Sequence, residues 1–140
     1  MDETDTQILG LLRADARQPV AAMAKRLGLA RSTVQARLER LERSGTIAGY
    51  TLRLGAADAR IRATALLQIE PRTLPAVLSR LKAQGEVERV HTTSGRFDLL
   101  VTLSAPTTEA LDRALDAIGA VPGVRSSESL IHLSTRIDRG

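Results

Sequence analysis

One stretch, residues 28–45, constrains the fold of this chain more than any other. Val34, Leu38 and Leu41 recur at the i, i+4 and i+7 spacing that places side chains on one face of a helix. A glycine flanks this run on either side and favours a turn before the helix and a stop after it. The other faces carry hydroxyl, amide and guanidinium groups, which read base edges and hold phosphates in DNA. The stretch therefore predicts a DNA-recognition helix.

The positive charge of the chain is concentrated around this helix. Residues 17–43 contain seven Lys or Arg and two acidic residues, whereas the whole 140-residue chain has a formal net charge of +4. A basic segment in a nearly neutral chain is typical of a polyanion site, although a solvated helical face explains the charge equally well. The only aromatic residues are Tyr50 and Phe97, which disfavours single-stranded nucleic acid bound by aromatic stacking. Double-stranded DNA is the polyanion that the sequence favours.

Composition and missing motifs exclude or disfavour several classes of protein. The chain has no cysteine, so it forms no disulfide, thiolate metal site or cysteine nucleophile. No apolar run approaches the roughly 18 residues of a membrane helix, and the acidic start lacks the pattern of a signal peptide. We therefore expect a cytoplasmic, nucleoid-associated protein with no membrane partner. His91 and His132 have no companion ligands and no catalytic or cofactor motif is present, so we expect no metal, no cofactor and no enzymatic activity.

Two further helices are predicted before the recognition helix. Apolar residues at helical spacing mark residues 4–14, and Pro19 suits the first position of a second helix. The short turn at 28–30 joins the second helix to the third, which makes a helix-turn-helix. β-Branched and aromatic residues over 46–54 predict a strand. A strand at this place is typical of a winged variant of the motif.

Strand and helix patterns alternate from residue 62 onward. Their order, β-α-β-β-α-β, is that of a ferredoxin-like domain. We therefore predict an α+β chain with a winged helix-turn-helix DNA-binding domain over 1–52, a linker over 53–61 and a ferredoxin-like domain over 62–140. Two helices then cover one face of a four-stranded antiparallel sheet. Because apolar residues alternate onto both faces of the strands, we expect a second copy to bury the other face in a sheet-on-sheet dimer.

In this order and spacing, the motifs resemble the Lrp/AsnC family of bacterial and archaeal transcription regulators over essentially the whole chain. The stretches and residues that carry the resemblance are 1–5, 8–12, 23–29, 32–34, Arg37, Leu41, 45–50 and 93–98. The resemblance implies a DNA-binding domain followed by a domain that dimerises, assembles further and binds a small effector, usually an amino acid. The chain departs from the family pattern at Ala30, where a helix-capping serine is usual.

The resemblance and the residue types together identify the candidate contacts. In the family, effectors bind near the Gly-x-x-Asp turn, which implies that Gly95, Arg96 and Asp98 contact an effector here. Gly95 and Asp98 equally suit a hairpin turn. The candidate DNA contacts, on the front and polar side of the recognition helix, are Arg31, Ser32, Thr33, Gln35, Ala36, Arg37 and Arg40. The hydroxyl and amide groups are suited to contacts with bases, and the arginines are suited to contacts with phosphates. The small side chain of Ala36 lets the helix approach the DNA groove.

Three functions are compatible with these residues. The first is a homo-oligomeric transcription regulator that binds specific DNA sequences and responds to an amino acid or a similar small effector. The second is a protein of the same build that organises DNA with broad specificity. The third is an enzyme, because some proteins that resemble this family decarboxylate a tetrapyrrole, and His91 or His132 would then have to meet that cofactor. The basic motif around residues 32–40 argues against the third, and a ratio of specific to non-specific binding near one would favour the second over the first.

Overall fold

Five helices and four strands are present in residues 1–55 and 58–140, which the computed structural model describes. The chain divides into two units, Met1–Leu54 and Gly55–Gly140. Residues 56 and 57 of the predicted linker lie outside the described residues. The elements are α1 (Glu3–Ala14), α2 (Val20–Leu27), α3 (Arg31–Arg43), β1 (Ile61–Ile69), α4 (Leu74–Lys82), β2 (Val87–Thr92), β3 (Leu99–Ala105), α5 (Thr108–Gly119) and β4 (Val124–Ile131).

The first unit is a bundle of α1, α2 and α3, so the predicted helix-turn-helix is confirmed. Gly28 has a φ of 67°, a left-handed conformation that ends α2 and turns the chain toward α3. Pro19 occupies the position before the first residue of α2, one residue earlier than the sequence predicts. The three helices close over a small set of buried side chains, which are Ile8, Met23, Ala24, Val34 and Leu41.

The strand predicted over residues 46–54 is not formed. Ile47 packs against the helical core, and its N–H donates to the carbonyl of Leu41 at 2.9 Å. After it the chain runs without regular structure, and Tyr50, Leu52 and Leu54 are exposed. A strand requires a second strand to accept and donate its backbone hydrogen bonds. In the described part of the chain no segment pairs with residues 46–54. The segment therefore forms no strand, although its residue types favour one.

The second unit is the predicted ferredoxin-like domain. Its four strands lie in the order β2-β3-β1-β4, and every neighbouring pair is antiparallel. Helices α4 and α5 pack on one face, and Thr107 caps α5 by accepting from the N–H of Ala110 at 3.1 Å. The core is entirely aliphatic, and its largest fully buried side chains are Leu67, Val77, Leu81, Leu99, Val101, Leu103, Leu111 and Ile118.

The two faces of the sheet differ sharply in burial. The central side chains of β1 and those of β3 that face the helices are fully buried. On the opposite face, which we call the open face, Leu66 lies across from Leu100 in the ladder, and both are only half-buried. Leu130 on β4 lies across from Thr64 on the same face and is 53% exposed. Polar residues of the open face include Arg62, Thr64, Gln68, Arg89, His91, Thr102, Ser104, Ser126 and Glu128, of which Ser104 is buried.

A glycine fixes the turn between α5 and β4. Gly123 has a φ of 101°, and a Cβ atom there would lie 2.8 Å from Thr73 Cβ and 2.9 Å from Thr73 Oγ1. Its carbonyl accepts from the N–H of Glu70 at 2.7 Å, which joins this turn to the segment before α4. Both the backbone conformation and the lack of space therefore require glycine at this position.

We expect Gly123→Ala to lower the free energy of unfolding by about 1–3 kcal/mol or more, because alanine adds backbone strain and a steric overlap. Gly119→Ala is the matched control, since Gly119 is the last residue of α5 and, apart from its chain neighbours and its own helix backbone, no atom lies within 4 Å of its added Cβ. Urea denaturation followed by circular dichroism measures both variants. Equal stabilities for the two would contradict the assignment of Gly123.

Candidate DNA-binding and effector sites

The front of α3 presents short polar side chains to solvent. Val34 and Leu41 are buried against α1 and α2, which turns the opposite side of the helix outward. The exposed residues at this end are Arg31, Ser32, Thr33, Gln35 and Ala36. The structure therefore brings five of the seven residues predicted for DNA contact onto one accessible end of the helix.

Gln35 is oriented by a neighbour on its own helix. Its Nε2 donates to Glu39 Oε1 at 2.9 Å, one helical turn away. A primary amide has two N–H donors and a carbonyl acceptor, so one donor and the acceptor of Gln35 are still available. In general, one amide N–H and the amide carbonyl are the two groups that a glutamine uses in a bidentate pair with adenine. The contact to Glu39 is compatible with base reading and restricts the rotamers of the side chain.

Arg37 and Arg40 have a different environment from the residues at the front of α3. Arg37 Nη1 donates to Asp2 Oδ2 at 2.6 Å and to Asp5 Oδ1 at 3.2 Å. Arg40 Nη2 donates to Asp5 Oδ2 at 3.2 Å. The side chain of Asp5 is 3% exposed, that of Arg37 27% and that of Arg40 61%. The structure thus places both arginines in ion pairs with the start of α1, where the sequence predicts phosphate contacts.

These ion pairs shift the pKa values of the acidic groups. The hydrogen bond from Arg37 holds the pKa of Asp2 below its ordinary value. Burial by itself raises the pKa of Asp5, but the hydrogen bonds from Arg37 and from the Asp2 N–H outweigh it, so the pKa of Asp5 is also lowered. The same contacts, that to Asp2 first, raise the pKa of Arg37. All three groups are therefore charged at neutral pH.

The predicted effector turn is a hairpin between β2 and β3 that is anchored to β1. Gly95 has a φ of 97°, which explains the glycine at the tip. The carboxylate of Asp98 accepts from the N–H of Ile69 at 2.9 Å, and the N–H of Asp98 donates to the carbonyl of Leu67 at 2.8 Å. Asp98 therefore holds the hairpin against β1 through its side chain as well as its backbone.

Arg96 lies at the edge of a cavity of about 320 Å³ on the open side of this hairpin. Its guanidinium carbon lies 5.0 Å from the centre of the Phe97 ring, within the range of a cation–π contact. The lining residues are Gln68, Arg96, Phe97, Ser126, Ser127 and Glu128. Gly95 and Asp98 do not line the cavity, and the residues from β1 and β4 were missed by the sequence, which does not reveal the pairing of those strands.

The two histidines lie apart from the hairpin cavity. The ring of His132 shares a hydrogen bond with Thr64 Oγ1 at 2.8 Å, and His91 is exposed on β2. Within residues 1–55 and 58–140, no group of three or more His, Asp or Glu side chains is arranged to hold a metal ion. None of the helices described here has the length and apolarity needed to cross a membrane.

Two family models match this chain in the order of its two units. Residues 1–42 match the AsnC-type helix-turn-helix domain, and residues 62–140 match the Lrp/AsnC ligand binding domain. The chain belongs to the Lrp/AsnC family of transcriptional regulators. The second match covers the hairpin and its cavity, which places them in the ligand-binding domain of the family.

Individual relatives agree with the family assignment. The chain is 31% identical over 137 residues to the HTH-type transcriptional regulator FL11 of Pyrococcus abyssi, which covers 96% of this chain and 91% of that protein. It is 31% identical to the HTH-type transcriptional regulator LysM of Saccharolobus solfataricus, with 96% and 95% covered. Both relatives are named as transcriptional regulators, and neither name supports the tetrapyrrole alternative.

Solved structures share the fold along the full length of the chain. E. coli AsnC superposes with a TM-score of 0.91 at 24% identity, covering 100% of this chain and 97% of that one. A transcriptional regulator of Neisseria meningitidis, solved as a complex with L-Met, also has a TM-score of 0.91, at 22% identity and with 99% and 93% covered. The predicted α+β fold is confirmed by these superpositions.

Proposed function

We propose that this Lrp/AsnC regulator reads double-stranded DNA through the front of α3. The observation that carries the proposal is the exposed cluster of Ser32, Thr33 and Gln35 on the second helix of a helix-turn-helix. Hydroxyls bond to several base edges, and the amide is suited to adenine. Ala36 adds no bulk beside them, so the helix can lie deep in the groove. Arg31, at the first turn of α3, supplies a positive charge for a phosphate.

We expect Gln35→Ala to reduce the preference for the target site by about 5- to 150-fold, since a bidentate base contact contributes about 1–3 kcal/mol of discrimination. Fluorescence anisotropy across a salt series compares the duplex upstream of this protein's own gene with a scrambled duplex. Gln7→Ala is the matched control, because Gln7 is an exposed glutamine on α1. Equal binding of the wild-type protein to both duplexes, at all salt concentrations, would instead favour the DNA-organising function.

The cavity beside the hairpin is the proposed effector site, and its chemistry suits an α-amino acid. Arg96 supplies a cation for a carboxylate, and Glu128 on β4 supplies an anion for an ammonium group. Gln68 and Ser126 are joined by a hydrogen bond of 2.8 Å and add uncharged polar groups between the two charges. The L-Met complex of the Neisseria regulator supports the same class of ligand. Gly95 and Asp98 contribute by holding the hairpin in place.

Arg96→Gln and Glu128→Gln are each expected to weaken amino-acid binding by about 10- to 100-fold, because each removes a hydrogen bond to a charged group. Isothermal titration with the common amino acids identifies the ligand on the wild-type protein and then measures the variants. Arg113→Gln on α5 is the control, since that arginine lines a different cavity. An equal loss in all three variants, or no binding by the wild-type protein, would refute the assignment.

The open face of the sheet supports a homodimer in which the sheet of one copy covers that of another. Leu66, Leu100 and Leu130 form an apolar centre that helices α4 and α5 do not cover. Antiparallel sheets with one solvated face normally carry polar residues on that face. Dimerisation would also bring two α3 helices to one DNA duplex, which is how helix-turn-helix proteins bind paired half-sites.

Leu130→Glu is expected to convert the dimer to a monomer at micromolar concentration, since it places two charges in the buried face. Analytical ultracentrifugation measures the mass of the wild-type and variant proteins. Leu133→Glu is the control, because Leu133 lies two residues beyond the end of β4 and is 95% exposed. A wild-type protein that sediments only as a monomer would overturn the sheet-on-sheet dimer.

A further inference from the structure

Four charged side chains meet where the start of α1 lies beside α3. Two are the carboxylates of Asp2 and Asp5, which we call the acidic pair, and two are the guanidinium groups of Arg37 and Arg40. We propose that the acidic pair, through Asp5, competes with DNA phosphates for Arg40 and so limits the sequence-independent part of DNA binding, while its contacts with Arg37 join the two helices. The proposal rests on the DNA contacts proposed above for α3.

The acidic pair is held in place before any arginine binds it. The side chain of Asp2 accepts from the N–H of Asp5 at 2.9 Å, and that of Asp5 accepts from the N–H of Asp2 at 3.4 Å. This reciprocal arrangement is a capping box, which satisfies the free N–H groups at the start of α1. Because the backbone fixes both carboxylates, they bind guanidinium groups without losing further side-chain freedom.

Carboxylates and phosphates offer an arginine the same kind of charge-assisted hydrogen bond. An arginine that already faces a fixed carboxylate gains less from a phosphate, because its positive charge is locally cancelled. It also displaces fewer of the counterions that surround DNA, and their release supplies most of the non-specific binding. The acidic pair thus reduces the effective charge that α3 offers to any duplex, whatever its sequence.

The two arginines differ in how far they are committed to the acidic pair. Arg37 contacts both carboxylates and is largely enclosed, so it serves to join α1 to α3. Arg40 contacts Asp5 alone and is 61% exposed on its helix. Asp5 is therefore the positioning residue that decides whether Arg40 reaches a phosphate. Base reading is left to the front of the helix, whose side chains do not contact the acidic pair.

Asp5→Asn tests this competition in the full-length protein, since asparagine keeps the shape and removes the charge. On the scrambled duplex we expect tighter binding at low salt and a salt slope that is steeper by about 0.9, which is about an eightfold greater loss of affinity over a tenfold rise in salt. The double variant Asp5→Asn, Arg40→Ala is expected to return the slope to the wild-type value, because the effect acts through Arg40.

Two further variants make the test specific. Asp15→Asn makes the same change in net charge at the exposed end of α1 and should leave the slope unchanged. Arg40→Ala alone should also leave the salt slope of DNA binding unchanged. Because Arg40 is exposed, this variant tests the proposal even if Asp5→Asn folds poorly. A slope that falls by about 0.9 in Arg40→Ala would show that Arg40 already holds a phosphate, and would overturn the competition.

The outcomes separate this inference from the proposed function. Wild-type protein that binds neither duplex at low salt would remove the DNA interface itself, and this inference with it. Wild-type protein that binds DNA while Asp5→Asn and Asp15→Asn give the same slope would overturn the competition alone. A steeper slope in Asp5→Asn, reversed by the loss of Arg40, supports both.

Discussion

The orientation of α3 depends on burying one side of a helix that is otherwise highly polar. Val34 and Leu41 supply the apolar contacts, and in the described residues the apolar core that they join contains five buried side chains. The carboxylate of Asp5 is almost fully enclosed at the same junction, which is tolerable only because charged and backbone donors satisfy it. In the described residues no buried side-chain nitrogen or oxygen lacks a partner. Apolar packing and ion pairing together therefore determine which side of α3 faces outward.

Much of the fold follows from local patterns in the sequence. Helix α3 is predictable because its apolar residues repeat at helical spacing and Gly45, with a φ of 80°, allows the chain to leave the helix. The ferredoxin-like order is predictable because each strand and helix has its own periodicity. The segment over 46–54 was predicted wrongly, since β-branched residues favour a strand but cannot supply its partner. Strand formation depends on pairing with distant residues, which composition does not encode.

The candidate DNA-binding and effector sites also differ in how far local sequence could identify them. The front of α3 could be identified from residue types alone, because a polar, exposed helix end is a local property. The ion pairs of Arg37 join residues 32 and 35 positions apart, and they exist only because α1 crosses α3. Acidic residues at the start of α1 suit the positive end of the helix dipole, which is a local property, whereas their pairing with Arg37 and Arg40 is not. Glu128 joins the hairpin cavity through the pairing of β4 with β1, and no local signal marks it.

The chain contains a single tyrosine and no tryptophan. That residue, Tyr50, lies in the irregular segment just after α3 and is about half exposed, and burial together with Glu42 raises the pKa of its hydroxyl. All tyrosine fluorescence of the native chain consequently originates at one position next to the DNA-binding helix. The protein carries an intrinsic optical reporter there, so changes in that segment can be followed without a label or a substitution.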